Sequence, residues 1–318
     1  MAPLPSTLAQ ATAQIDLGNM ENYFAYSITQ WDSVSHILTL GFGVFAAALI
    51  YFLATTPMVA PRYRLSNILS AVVTISAALI LLRQALDWEM SFFAAGDGTY
   101  VRKEGHLYSN GYRYMNWSID VPILLLQMLV ILPLAARLKI SYGLQFLVAG
   151  LGMIWTSWAA QFYEHGGRVD GVSATPFWVW YLIGWAFYIW IVVIVWKAIS
   201  QGKMHVPDRA KPILTGILGL FLVSWTAYAF AIAQPQFWWD ASSGVARAFI
   251  FTIADITSKA VYGVLLGWVA LILSKEQGFQ PYVVEQEMET RGGRLARYFG
   301  LDGGSEGDAA KPAPAPVS

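Results

Sequence analysis

Two ionisable residues stand four apart in an otherwise apolar run near the end of the chain: Arg247-Ala-Phe-Ile-Phe-Thr-Ile-Ala-Asp255-Ile-Thr-Ser-Lys259-Ala-Val-Tyr-Gly-Val-Leu-Leu-Gly-Trp. Four residues is just over one helical turn, so Asp255 and Lys259 share a helix face. Charges deep in a membrane are costly and face partners inside the protein. Two chemistries fit the pair. One is a buried ion pair that fixes helix packing. The other is a lysine kept reactive by desolvation, able to form a Schiff base with an aldehyde.

A second segment bears on that choice. It reads Tyr112-Arg113-Tyr-Met-Asn116-Trp117-Ser-Ile-Asp120-Val-Pro122-Ile-Leu-Leu-Leu-Gln127. Arg113, Asn116, Asp120 and Gln127 follow one another at intervals of 3, 4 and 7, which keeps them on one helical stripe. Asp120 is the natural counterion for a cation built on Lys259. Asn116 adds a neutral oxygen beside a carboxylate, a pairing that suits a hard cation such as sodium. Gln127 lies about 10 Å deeper than Asp120 at the helical rise, and a glutamine cannot supply a proton. Pro122 frees a carbonyl and bends the helix past the carboxylate. Packing glue between helices would account for two amides, but four aligned polar groups point to a functional interior.

The elements that must carry these residues are membrane spans. Of 318 residues, 56% are hydrophobic and only 13% are charged, against about a quarter in soluble domains. Mean hydropathy is +0.48. Fourteen Trp and sixteen Tyr suit interfacial belts and a lined cavity. Zero net charge argues against a nucleic-acid footprint. The absence of cysteine removes disulfides, thiolate metal sites and thiol nucleophiles, and His36, His106, His165 and His205 show no metal-ligand spacing. The first residues have no basic run, so no cleaved signal peptide is read there.

Seven apolar runs are long enough to cross a bilayer: about 33–61, 66–89, 112–136, 141–163, 174–197, 212–236 and 244–274. Residues 1–30 form a polar N-terminal segment, read as extracellular with a short amphipathic helix. Residues 31–275 form the helical domain. Residues 276–318 form a tail whose end, rich in Gly, Asp, Ala and Pro, cannot bury a core. Between the second and third spans, residues 91–111 suggest a hairpin of Thr99–Val101 with His106–Tyr108, flanked by glycines. Arg62, Arg64, Arg137, Lys139, Lys197, Lys203, Arg209 and Lys211 gather in alternate connections. That bias places the C-terminus in the cytoplasm and the N-terminus outside.

From about Glu21 to Lys275 the chain resembles the microbial (type I) rhodopsins. The residues that carry the likeness are Arg113-Tyr-Met-Asn116-Trp117-Ser-Ile-Asp120-Val-Pro122, Gln127 and Asp255-Ile-Thr-Ser-Lys259. Within those proteins it is similar to the light-driven sodium pumps that share an Asn-Asp-Gln triplet. The resemblance implies an all-α membrane protein, a seven-transmembrane helix bundle enclosing all-trans retinal bound covalently to Lys259. It also implies a multi-pass protein of a bacterial plasma membrane, surrounded by lipid and assembled as a homo-oligomer, usually a pentamer.

By the same resemblance, Trp117, Trp225 and Tyr228 wall the polyene, and Ser157 stands near its ring where a glycine is expected. Ser76 lies near the Schiff base. Asn67 and Ser70 join Gln127 in an uptake region. Arg113, Glu21, Glu164 and Arg247 form a release cluster. Sodium is held transiently by Asn116, Asp120 and Asp255. His36 corresponds to a residue near the subunit contact. His106 replaces an aspartate expected to bind a second sodium, and Ala229 follows Tyr228 where proline is usual. The implied activity is outward sodium transport rather than enzyme catalysis, with Asp120 as counterion and transient proton acceptor. An outward proton pump and a photosensor are the alternatives.

Overall fold

The computed structural model describes residues 18–169 and 171–281. Most of the expected N-terminal segment and nearly all of the tail therefore lie outside the described residues. The chain divides into a body ending at Phe279 and a second unit, Gln280–Ser318, of which only the first two residues are described.

Among the described residues, seven helices are long and apolar enough to cross a membrane. They are α1 (Ile28–Thr55), α2 (Pro61–Ser91), α3 (Gly111–Ile131), α4 (Ala136–Gln161), α5 (Thr175–Lys203), α6 (Lys211–Ala233) and α7 (Ala241–Glu276). Local chemistry sets their ends. Ser27 begins α1 with a reciprocal capping box, its hydroxyl accepting from Gln30 N while Gln30 Oε1 accepts from Ser27 N. Proline occupies the first turn of α2, α5 and α6, where its missing N–H leaves no helical bond unmade. Asp240 caps α7 through Ser243 N at 2.8 Å. α3 stops at Ile131, short of the 136 read from the apolar run, because Pro133 drives Leu132 into extended backbone. Residues 132–135 form the connection, and α4 begins at Ala136, earlier than the 141 read from sequence.

Neighbouring helices pack in chain order and α7 closes back on α1, making a ring. The surface is apolar, with Val223 74% exposed, while Arg113, Asp120, Gln127 and Asp255 are buried inside. That is the distribution a lipid solvent requires. α7 is not uniform: Ile256–Val261 winds as a six-residue π-type segment. Such wide turns are rare and cluster at functional sites. Here the segment carries Lys259.

One end of the ring bears a three-stranded sheet of order β1-β3-β2, with β1 at Tyr26–Ser27, β2 at Phe92–Ala94 and β3 at Thr99–Arg102. The hairpin exists, but its strands are not the pair read from sequence. β3 pairs with β2 in the register Phe93↔Val101, turning through Gly98 at φ +86°. Tyr108 lies outside the sheet because the Asn22 side-chain amide holds both its N–H and its carbonyl at 2.9 Å. The described part of the N-terminal segment is a single 3₁₀ turn, Met20–Tyr23, followed by β1. The sheet marks one pole of the bundle, and the far end is the other.

Candidate functional site

At mid-bundle one lysine faces two carboxylates with opposite surroundings. The π-type segment of α7 turns Lys259 inward, 2% exposed, where its Nζ donates to Asp255 Oδ1 one turn earlier. Asp255 is heavily bonded. Arg113 Nη1 donates to Oδ2 at 2.9 Å, while Tyr228 OH at 2.7 Å and Trp117 Nε1 at 3.2 Å donate to Oδ1. Asp120 Oδ2 is 4.0 Å from Lys259 Nζ. Neither oxygen of Asp120 receives a well-formed hydrogen bond from the described residues; Ser76 and Asn116 lie beside it at looser geometry. Sequence reasoning offered both an Asp255–Lys259 ion pair and Asp120 as counterion to a cation on Lys259; of the two carboxylates, the closer contact is to Asp255. The i,i+4 spacing within α7 delivers that contact directly, whereas Asp120 must reach across from α3.

Asn116 donates to Ser76 Oγ at 2.5 Å and keeps its own Oδ1 without a partner. A free amide oxygen, a free carboxylate and a saturated carboxylate thus share a confined space. This is an arrangement that can hold a proton in one place and a small hard cation in another.

Toward the far end, Ser70 Oγ donates to Gln127 Oε1 at 3.2 Å and Asn67 Nδ2 to Thr55 Oγ1 at 3.3 Å. Ser70 and Gln127 are therefore in contact, with Asn67 beside them on the same helix. Ser66 Oγ, Asn67 Oδ1 and Gln127 Nε2 have no hydrogen-bond partner among the described residues. Toward the sheet end, Arg247 binds Glu164, Nη1 to Oε2 at 2.6 Å, and Glu21, Nε to Oε1 at 2.9 Å, with a second bond from Nη2 to Glu21 Oε2. Glu21, Glu164 and Arg247 are thus brought together and buried. Arg113, grouped with them from sequence, points instead to Asp255.

Several members of the sheet-end network had no sequence signal. Asn19 donates to Glu164 Oε1 and accepts from Asn110 N, and Asn110 Nδ2 donates to Glu21 Oε1. Polar residues in loops are too common to single out, and only tertiary contact identifies them. Burial, then the neighbouring Glu21 carboxylate, pushes the Tyr26 phenol well up, and burial does the same to Tyr108. Both remain donors, Tyr26 to Glu21 O and Tyr108 to Gln84 Oε1.

Beside Lys259 runs a narrow, largely apolar cavity. Its walls include Trp117, Trp225, Tyr228, Trp185, Ser157, Ala229 and Lys259. Flat rings, mainly hydrocarbon surface and an amine at one end suit a long conjugated aldehyde such as retinal. The residues present fit that group. Ser258, also in the wall, meets Tyr228 OH at 3.0 Å; it is a further member the motif did not flag. His36 is exposed on α1, and His106 lies on the sheet-end surface beside Glu89 and Glu104.

The profile of the bacteriorhodopsin-like protein family matches residues 32–273. Opsin-1 of Neurospora crassa is 26% identical over 160 residues, covering 48% of this chain and 46% of that protein, so the chain spans just under half the relative's length. The crystal structure of thermophilic rhodopsin is similar at a TM-score of 0.74 and 26% identity, over 80% of this chain and 99% of that one. Xanthorhodopsin, described as a light-driven ion pump with dual chromophore, gives a TM-score of 0.72 at 24% identity over the same shares.

Proposed function

This chain belongs to the bacteriorhodopsin-like family, and we propose that it is a light-driven pump that exports sodium ions, with retinal carried on Lys259 and walled by Trp117, Trp225, Tyr228 and Ser157. The observation that carries the reading is the unequal treatment of two carboxylates around one amine. Asp255 is saturated by donors, whereas Asp120 sits 4.0 Å from Lys259 Nζ with both oxygens unbonded. The group that can take a proton is the one nothing else holds.

When bound, retinal supplies light absorption and an isomerisation that displaces the lysine nitrogen. At rest the proton on Lys259 Nζ makes a fixed positive charge in the path. Two like charges about 4 Å apart repel by about 4 kcal/mol at an effective dielectric near 20, so a cation does not pass. Transfer of that proton from Nζ to Asp120 removes both charges together. The free Oδ1 of Asn116, with Asp255, then offers oxygens to a sodium ion arriving past Asn67, Ser70 and Gln127. Return of the proton from Asp120 to Nζ restores the barrier behind the ion, which leaves past Arg113 toward Glu21, Glu164 and Arg247. Asp255 stays charged throughout because Arg113, Tyr228 and Trp117 hold it. Gln127 favours sodium over proton traffic, since an amide there cannot reprotonate the centre.

Outward proton transport is the second reading, because the same free Asp120 serves a proton pump equally well. Illuminated vesicles or cells in unbuffered NaCl separate the two. With a protonophore present, sodium export drives passive proton uptake and the medium becomes alkaline. If protonophore removes every light-driven pH change, sodium export is wrong and proton transport stands. Loop charges support an orientation with the C-terminus in the cytoplasm of a bacterial cell. In the same reading the chain assembles as pentamers, which native mass spectrometry in mild detergent would count.

A further inference from the structure

The end of the cavity remote from Lys259 carries a polar group that the proposed pumping leaves without a task. Helices α4 and α5 form this wall, on the side of the ring across from α7. Four hydroxyl-bearing side chains lie there, and three are engaged. Tyr181 OH donates to Ala229 O at 3.1 Å, and Tyr188 OH pairs with Thr226 Oγ1 at 2.9 Å. Thr156 Oγ1 donates to its own helix at Gly152 O, 2.7 Å. Ser157 lines the cavity, is half-buried, and makes no hydrogen bond within the described residues.

The wall is also hollowed at the same point. Gly184 of α5 stands opposite, and a Cβ there would come within 3.1 Å of Ser157 Oγ and 3.2 Å of Thr156 Oγ1. Only the absence of a side chain leaves Ser157 Oγ open to the cavity. Apart from Ser258 and Lys259 at the other end, the lining is aromatic or aliphatic, so this hydroxyl is a polar spot at the apolar end of the cavity. A ligand made only of hydrocarbon at that end would cover it and leave it without a partner, which is unfavourable.

Resting on the retinal-binding reading above, we propose that Ser157 and Gly184 form a subsite for an oxygen on the ligand's ring. The cavity would then accept a ring-hydroxylated polyene aldehyde at least as well as retinal itself. Ser157 donates to or accepts from that hydroxyl, and Gly184 provides the room for it.

The test is a competition. Full-length protein made without chromophore is mixed with equal all-trans retinal and all-trans 3-hydroxyretinal, and the bound aldehydes are extracted and separated. The wild type is expected to take the hydroxylated aldehyde at least as often as retinal. Ser157→Ala should shift the ratio toward retinal by about three- to tenfold, the range of one neutral hydrogen bond. Gly184→Ala, which closes the hollow without removing the hydroxyl, should shift it the same way. A ratio is read within each sample, so differences in yield between variants cancel. Pigment that forms with retinal while rejecting the hydroxylated form by more than about fivefold overturns the subsite alone. So does a ratio unmoved by both substitutions. If neither aldehyde gives colour, the retinal reading itself falls, and the subsite with it.

Discussion

At the sheet end of the bundle, Arg247 is clasped by Glu21 and Glu164, and Asn19, Asn110 and Tyr26 close the remaining gaps. At the far end, Ser66 Oγ, Asn67 Oδ1 and Gln127 Nε2 are buried and have no hydrogen-bond partner among the described residues. Both regions place polar side chains inside a membrane bundle, where each unpaired group is costly. The sheet end meets that cost with protein partners and forms a plug at rest, on the side where the proposed exit lies. The far end leaves room for water or a passing ion to supply the partners, as unsatisfied buried groups commonly require. Mid-bundle repeats the contrast within one small space: Asp255 belongs to the tied class and Asp120 to the open one.

On the proposed function, proton acceptance and ion entry fall to the open groups, while the tied groups give stability and, in Asp255, part of the ion's passing coordination. The largest expected effect is Asp120→Asn, which removes the one proton acceptor within reach of Lys259 that has no other bonds. Light-driven ion flux in vesicles should fall at least about 100-fold, in the range for loss of a positioned acid or base. A variant that retained more than a tenth of the flux would break the assignment. Asp255→Asn comes next and acts on the other side of the comparison. It leaves the guanidinium of Arg113 buried without its anion, a loss of about 3–5 kcal/mol, read as early thermal bleaching or unfolding of the variant. Glu164→Gln should cost less, about 1–3 kcal/mol, because Arg247 keeps Glu21 and the amide retains an acceptor. Equal thermal stability of wild type and Glu164→Gln would mean that the sheet-end cluster is not the plug described.

How much of this was legible beforehand follows the same division. The seven helices, the α3 stripe and the α7 lysine are written in local periodicity, and spacing along one helix fixes a face. Arg113, Asn116, Asp120 and Gln127 are all buried on that stripe. What spacing does not fix is which groups meet across helices. The turn of Arg113 toward Asp255 rather than toward Glu164, the gap left between Lys259 and Asp120, and the recruitment of Asn19 and Asn110 all depend on helix rotation and loop placement. The π-type winding around Lys259 was equally silent, because its sequence, Ile-Thr-Ser-Lys-Ala-Val, suits an ordinary helix. β2 escaped notice because Phe92–Ala94 directly follows the long apolar run of α2.

The smallest effect sharpens the comparison because its sign is the informative part. Ser66 is 1% exposed, yet its hydroxyl has no partner among the described residues, so Ser66→Ala removes no hydrogen bond between them. A hydroxyl buried dry and unpaired costs about 1–3 kcal/mol, and its deletion would stabilise the protein by part of that. A hydroxyl bonded to water inside an open passage gains little from deletion, so stability should change by no more than about 0.5 kcal/mol. Urea or thermal titration of the variant distinguishes the cases. A clear gain would describe a far end that is closed and dry at rest. A near-zero change would describe one already hydrated, with the ion's path wet as far as Gln127. A loss of more than 1 kcal/mol would contradict both, and would place Ser66 among the tied residues of the sheet end rather than opposite them.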